Sequence, residues 1–106
     1  MQIIIQTPGF TSSEALDTLI NEKISHLGNY TQNIIRADVT LFKGPETETR
    51  NNYCEIRLVV PGNDLFAKSN EAGFEQAVAE TVNHLKHMIE KSKDKAVSQR
   101  HGEQQD

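Results

Sequence analysis

The spacing of hydrophobic residues changes along this chain, and those changes constrain the fold more than any other feature of the sequence. Residues 2–7 contain an unbroken β-branched run, which is typical of a strand. Residues 34–43 and 53–60 alternate between apolar and polar positions, as half-buried strands do. A turn at residues 61–63 precedes a short last strand, whose inward positions are Leu65, Ala67 and Ser69.

Two other segments repeat their apolar residues at the spacing of a helix. The first follows Thr11 and Glu14, which match a capping box, although Ser12 or Ser13 are alternative caps. It is predicted to end at Gly28, a residue type common at helix C-termini. Its apolar stripe consists of Leu16, Leu19, Ile20, Ile24 and Leu27. The second helix is predicted over residues 71–93, with Phe74, Ala77, Val78, Thr81, Val82, Leu85, Met88 and Ile89 as its stripe.

The resulting element order, β-α-β-β-β-α, predicts an α+β fold. A helical crossover places the first two strands parallel, and the other strands form an antiparallel meander, so the four-stranded sheet is mixed. Two helices with one apolar stripe each cover one sheet face and leave the other to solvent. We expect one domain over residues 1–95 and a polar, disordered tail over residues 96–106.

The charges are distributed unevenly along the chain. The net charge of −4 argues against a general nucleic-acid binder. Residues 84–101, however, contain 5 Lys/Arg and 2 Asp/Glu, together with three of the four histidines. This basic stretch is typical either of a local anion-binding surface or of a solvated helix end whose cations suit the helix dipole.

The sequence offers no recognisable catalytic chemistry. It has neither of the glycine-rich phosphate-binding motifs. His84 and His87 are spaced to approach one metal ion, but no nearby ligands complete a tetrahedral set. The single cysteine, Cys54, is at an inward strand position and fits a reducing cytosol. We therefore expect a cytoplasmic protein that is not an enzyme, with no cofactor, metal, membrane partner or small-molecule substrate.

Three segments carry a resemblance to a known family. They are residues 13–16 at the start of the first helix, residues 23–30 at its end, and residues 85–95, which have the sequence LKHMIEKSKDK. Their order and spacing resemble short members of the ribosome hibernation promoting factor family, also called ribosome-associated inhibitor A or sigma-54 modulation proteins. The resemblance covers about residues 1–95 and implies the same β-α-β-β-β-α fold.

The resemblance also implies a function. Family members bind the small ribosomal subunit near the decoding region, occlude mRNA and tRNA, and stabilise idle ribosomes. Residues 1–95 would then be a ribosome-binding domain that contacts the rRNA backbone, and we expect it to be a monomer. The positions that match the family's RNA-facing surface, together with Lys86 as an additional cation on the second helix, are Lys23, His26, His84, Lys86, His87, Lys91, Lys93 and Lys95.

Two other binding modes remain open from the sequence. The solvent-facing sheet positions combine aromatic and cationic residues, which either stack single-stranded bases or only shield the sheet. Alternatively, the acidic body and open sheet form a protein-interaction module that modulates a transcription or stress factor. The open-sheet residues in question are Arg36, Phe42, Tyr53, Arg57, Phe66 and Lys68.

Overall fold

The computed structural model describes residues 1–31 and 33–105, and the side chains of residues 1–31 and 33–92. The elements follow the predicted order: β1 (Gln2–Gln6), α1 (Glu14–Leu27), β2 (Arg36–Lys43), β3 (Asn52–Val59), β4 (Leu65–Glu71) and α2 (Phe74–Gln105). The sheet has the strand order β1-β2-β3-β4. Strands β1 and β2 pair in parallel, and the other two pairs are antiparallel, so the predicted mixed sheet is confirmed.

Helix α1 begins at a serine cap. The Ser13 hydroxyl accepts a hydrogen bond from Leu16 N at 3.0 Å, and the Ser13 backbone is extended, with φ −88° and ψ 156°. Of the predicted alternatives, Ser13 is therefore the cap. At the other end, Gly28 N donates to Ser25 O at 3.0 Å, as the predicted C-terminus requires.

The core lies between the sheet and the two helices, which pack on the same face. The inward residues of β2 and β3 alternate with exposed or half-buried ones, as predicted. Helix α1 packs against α2 and β1, while α2 packs against β3 and β4. The largest fully buried apolar side chains are Ile20, Ile24, Leu27, Leu41, Ile56, Leu58 and Leu85.

Aromatic contacts and one amide hold the start of α2. The rings of Phe10 and Phe74 stack with centroids 4.8 Å apart, and Lys43 Nζ lies 5.5 Å from the Phe74 centroid. The buried Asn52 amide donates to Ala72 O at 2.6 Å. The ring stack joins the loop before α1 to the first residue of α2, and the contacts of Lys43 and Asn52 join this end of α2 to β2 and β3.

Helix α2 spans Phe74–Gln105 and so ends later than the predicted 71–93. It starts later than predicted because Glu71 continues β4 and pairs with Asn52 of β3. The division into a domain at residues 1–95 and a tail at 96–106 stays a prediction. No helix within the described residues is both long and apolar enough to cross a membrane.

Candidate nucleic-acid interface

The two helices form an open groove along their line of contact, which we call the interhelical groove. Its apolar lining consists of the buried Leu27, the half-buried Val82 and the exposed Ala79. The lining also includes one acidic residue and two uncharged polar ones, which are Glu22, Tyr30 and Asn83. Three of the predicted RNA-binding residues also line it, and these are Lys23, His26 and Lys86. The fold therefore brings cations from two separate sequence segments to one surface.

Tyr30 organises the cationic side of the groove. Lys86 Nζ lies 4.8 Å from the Tyr30 ring centroid, a distance at which the ring face attracts an ammonium group. The His26 ring meets the Tyr30 ring edge to face, with centroids 6.0 Å apart, and His26 Nδ1 lies 3.4 Å from Asn29 Nδ2. The aromatic ring thus positions one cation from α2 next to one titratable group from α1.

The groove can attract an anion because its cations outnumber its acids. Lys23 and His26 are exposed, and Lys86 is half-buried by its packing on Tyr30. Among the described residues, neither Lys23 nor Lys86 forms an ion pair with a carboxylate. Glu22 is the acid in the lining, so at neutral pH two fixed positive charges face one negative charge. The arrangement favours contact with phosphate groups.

Three other predicted residues of α2 have described side chains and do not line the groove. His84, His87 and Lys91 are exposed and follow one another at spacings of three and four residues along the helix. His84 is two positions from Lys86, so these side chains leave the helix in nearly opposite directions. We call His84, His87 and Lys91 the outer row. The side chains of Lys93 and Lys95 lie outside the described residues.

One member of the outer row already has an acidic partner. His84 Nε2 lies 3.1 Å from Glu80 Oε1, one helical turn earlier. When His84 is protonated, this carboxylate offsets its charge. His87 and Lys91 have no ion pair among the described residues. The six predicted RNA-binding residues whose side chains are described are therefore divided between two surfaces that differ in their local electrostatics.

The open sheet face pairs its charges internally. Arg36 Nε contacts Asp38 Oδ1 at 2.8 Å along β2, and Arg57 lies 3.7 Å from Asp64. Lys68 of β4 is opposite Glu55 of β3 in the strand register. Because each of these cations is next to an acid, the face presents little net positive charge to RNA.

The aromatic side chains of this face also have partners within the chain. The rings of Phe42 and Tyr53 stack with centroids 5.1 Å apart and planes within 9°. Tyr53 donates a hydrogen bond to Glu48 Oε2 at 2.7 Å, and this bond raises the pKa of Tyr53. Arg57 covers the Phe66 ring at 5.6 Å. These contacts favour the interpretation that the residues shield the sheet over the one in which they stack bases.

The described residues contain neither a metal-binding cluster nor a reactive thiol. Within residues whose side chains are described, no three His, Cys, Asp or Glu groups converge on one point. Cys54 is buried as predicted, and burial raises the pKa of its thiol to about 11. Since the thiolate is the nucleophile, the thiol is unreactive at neutral pH.

Tyr30 is a residue of the groove whose role the sequence alone did not predict. It is two residues after the C-cap Gly28 of α1 and lies outside the apolar stripe of that helix. The sequence contained one indication, since Tyr30 is four residues after His26 and seven after Lys23. Its role depends on Lys86 from the other helix, and that contact is visible only once the helices are packed.

The chain is similar in sequence to a known ribosome hibernation promotion factor. A ribosome hibernation promotion factor of Deinococcus radiodurans is 30% identical over 89 residues, which cover 83% of this chain and 47% of that protein. This chain therefore matches about half the length of that relative.

Two solved structures share the fold. The N-terminal domain of Protein Y from Thermus thermophilus superposes with a TM-score of 0.74 at 18% identity, covering 86% of this chain and 98% of that one. A ribosomal subunit interface protein from Coxiella burnetii gives a TM-score of 0.79 at 17% identity, covering 89% and 99%. These two similarities show that the fold is shared. The sequence of residues 3–97 also matches a family model. The resemblance noted in the sequence is confirmed, and the chain belongs to the Sigma 54 modulation protein / S30EA ribosomal protein family.

Proposed function

We propose that this chain binds the small ribosomal subunit near the decoding region, where it occludes mRNA and tRNA and stabilises idle ribosomes. Membership of the family supports this function, as does the name of the Deinococcus radiodurans relative, a ribosome hibernation promotion factor. The function is binding without catalysis. It places the protein in the cytoplasm, where ribosomes are found.

The interhelical groove is the observation that carries the proposal. The whole chain has a net charge of −4, so its overall charge opposes approach to RNA. The groove counteracts this negative charge locally, because the fold places Lys23, His26 and Lys86 together on one surface. Contacts to phosphate release counterions and supply affinity without reading a base sequence. Such contacts suit structured RNA, which proteins recognise mainly by shape and backbone.

The outer row offers a second basic surface on α2, separate from the groove. His87 and Lys91 are exposed, and Lys93 and Lys95 continue the basic sequence beyond the described side chains. In the proposed mode, the groove binds one stretch of rRNA backbone and the outer row approaches a second. Lys93 and Lys95 keep their predicted role as phosphate contacts.

Binding to purified small subunits at several salt concentrations tests the proposal. We expect the double variant Lys23→Ala, Lys86→Ala to bind more weakly at every salt concentration. Its slope of log affinity against log salt should also fall by about one unit per lost phosphate contact. Lys68→Ala is the matched control, because Lys68 is an exposed cation on the open sheet face, away from the groove. A loss of log affinity in the double variant that is no more than twice the loss in this single-charge control would show that the groove is not the binding surface.

A protein-interaction module remains the second candidate. The open sheet face favours it, because its charges are internally paired and Phe66 remains 42% exposed. Sedimentation of a cell extract through a sucrose gradient separates the two functions. A ribosome-binding protein travels with ribosomal particles, whereas a module with a small protein partner stays near the top.

A further inference from the structure

The lining of the interhelical groove contains more than phosphate contacts require. A phosphate group needs cations on an accessible surface, and the groove supplies these at Lys23 and Lys86. The groove also has a volume of about 370 Å³, within the ~300–1,000 Å³ typical of small-molecule sites. Val82 and Ala79 give it an apolar wall, which a phosphate group does not use. The groove therefore fits a ligand that has an apolar part as well as a negative charge.

Glu22 and Asn83 add free hydrogen-bonding groups to the same groove. Within the part of the chain whose side chains are described, neither of these side chains forms a hydrogen bond or an ion pair. The Glu22 carboxylate repels phosphate, so it does not contribute to backbone recognition. It accepts hydrogen bonds, while the Asn83 amide both donates and accepts them. The edge of a nucleobase with N–H donors complements this pair.

Glu22 and Lys86 lie toward opposite ends of the groove. Phe10, before α1, stacks on Phe74 at the start of α2. Tyr30, after α1, contacts Lys86 farther along α2, so the two helices run in the same direction. Glu22 is thus at the end of the groove nearer the helix starts, and Lys86 is at the other end. A nucleotide has the same arrangement, with donors on its base at one end and negative charge on its phosphate at the other.

We infer that the groove takes up one unstacked guanine nucleotide of an RNA strand. Its base lies against Val82, its Watson–Crick edge donates to Glu22, and its phosphate contacts Lys86. Guanine suits a carboxylate because its N1–H and N2 amino groups donate side by side, whereas uracil has one N–H between two carbonyl oxygens. Unstacked bases are the part of RNA that proteins read by sequence. This inference rests on the proposal that the groove binds RNA, and it adds one base contact to the phosphate contacts.

Two five-nucleotide RNAs that differ only in the central base test this inference. Fluorescence anisotropy of labelled UUGUU and UUUUU at low salt measures the two affinities, with the phosphate contacts held constant. We expect the parent chain to bind UUGUU about tenfold more tightly, which is the discrimination expected of one bidentate base contact. Equal affinities for the two RNAs would overturn the inference.

The variant Glu22→Ala separates base recognition from general electrostatics. Loss of the acceptor should weaken binding of UUGUU, whereas loss of a negative charge should tighten binding of UUUUU. Glu90→Ala is the matched control, because Glu90 is an exposed acid of α2 outside the groove, without an ion pair among the described residues. It should keep the preference for UUGUU. If Glu22→Ala tightens binding of both RNAs equally, Glu22 only repels RNA and the inference is wrong.

The variant Ala79→Leu tests the apolar wall. Ala79 is exposed, so a leucine there fills part of the groove without disturbing the core. The preference for UUGUU should be lost, while binding of UUUUU through its phosphates should remain. Circular dichroism checks that the variant is folded. A folded Ala79→Leu variant that keeps the full preference would show that the base lies elsewhere.

Binding to purified small subunits distinguishes this inference from the proposed function. Glu22→Ala should weaken that binding, and Glu90→Ala should not. If the parent binds small subunits but has equal affinities for the two RNAs, the proposed function stands and the base contact is wrong. If the parent prefers UUGUU but does not bind small subunits, the base contact stands and the ribosomal function is wrong.

Discussion

Burial controls the chemistry of Cys54, the one thiol in the chain. Its side chain lies on the inward face of β3 and is fully enclosed. Burial raises the pKa of the thiol to about 11, and the opposing contact with the Thr81 hydroxyl is smaller. The same burial that makes the thiol unreactive makes it a packing group. The alternating pattern of β3 was sufficient to predict this position.

We expect Cys54→Ala to keep ribosome binding and to lose about 1 kcal/mol of unfolding free energy near neutral pH, from the lost packing. The variant should also change the alkaline profile. Since the folded pKa of about 11 exceeds the reference value of 9.0, the unfolded chain releases its thiol proton first. The stability of the parent therefore falls as pH rises through this interval, while the variant lacks that contribution.

Urea unfolding of parent and variant measures both effects. The stability difference of about 1 kcal/mol in favour of the parent should fall by at most about 2–3 kcal/mol between the two pKa values, which is enough to reverse its sign. A constant difference between parent and variant from neutral to alkaline pH would contradict the role of burial. Loss of ribosome binding in a folded Cys54→Ala variant would show that the thiol has a functional role.

At the scale of elements, the start of α1 depends on one hydroxyl. Ser13→Ala removes the bond from Leu16 N and should cost about 1 kcal/mol of unfolding free energy, measured by chemical denaturation. Thr11→Ala is the control, because Thr11 is exposed and precedes the capped turn. The Ser12 hydroxyl is held away from the Leu16 amide by the hydrogen bond that it donates to Asp17 Oδ1 at 2.6 Å. Equal costs for Ser13→Ala and Thr11→Ala would contradict this assignment.

The sequence predicted each element but not every boundary. Hydrophobic spacing identifies strands and helices because it reports which face is buried, and this held for all six elements. Thr11, with Glu14 three residues later, is the residue that matches the capping box, but Ser13 is the cap, because the choice among the hydroxyl residues 11–13 depends on backbone angles that spacing does not contain. The start of α2 depended on tertiary pairing, because Glu71 is held in the sheet by Asn52.

The division of the candidate site also arises from packing. The sequence placed Lys86 and His84 in one basic set, because both precede the same C-terminal run of lysines. Which of them faces α1 depends on the rotation of α2 about its axis. That rotation is determined by the burial of its stripe against the sheet and by the contact of Lys86 with Tyr30.

At the scale of the whole molecule, the charge balance makes binding sensitive to pH. The chain is acidic overall, and three of its predicted RNA contacts, His26, His84 and His87, are histidines. Histidine side chains gain charge between about pH 7.5 and 6, where phosphate and lysine charges hardly change. Contact with phosphate favours the protonated form, so binding should take up protons and tighten as pH falls.

The structure predicts unequal contributions from these histidines. His26 lies in the groove with Lys23, Lys86 and Glu22, and its added charge joins those of the two lysines. The charge of His84 is offset by Glu80 at 3.1 Å, so its protonation adds less to the field that RNA experiences. We therefore expect His26→Gln to remove more of the pH dependence than His84→Gln does.

Ribosome binding at fixed ionic strength from about pH 7.5 to 6 tests this expectation. Replacing His26, His84 and His87 together with glutamine should flatten the profile, whereas Lys91→Ala with Lys93→Ala should weaken binding equally at every pH and reduce the salt slope. Glutamine is the suitable replacement because it keeps a polar side chain of similar size without a titratable charge. If the parent protein binds with the same affinity across this range, the histidines do not contribute and the lysines alone provide the electrostatic attraction to RNA.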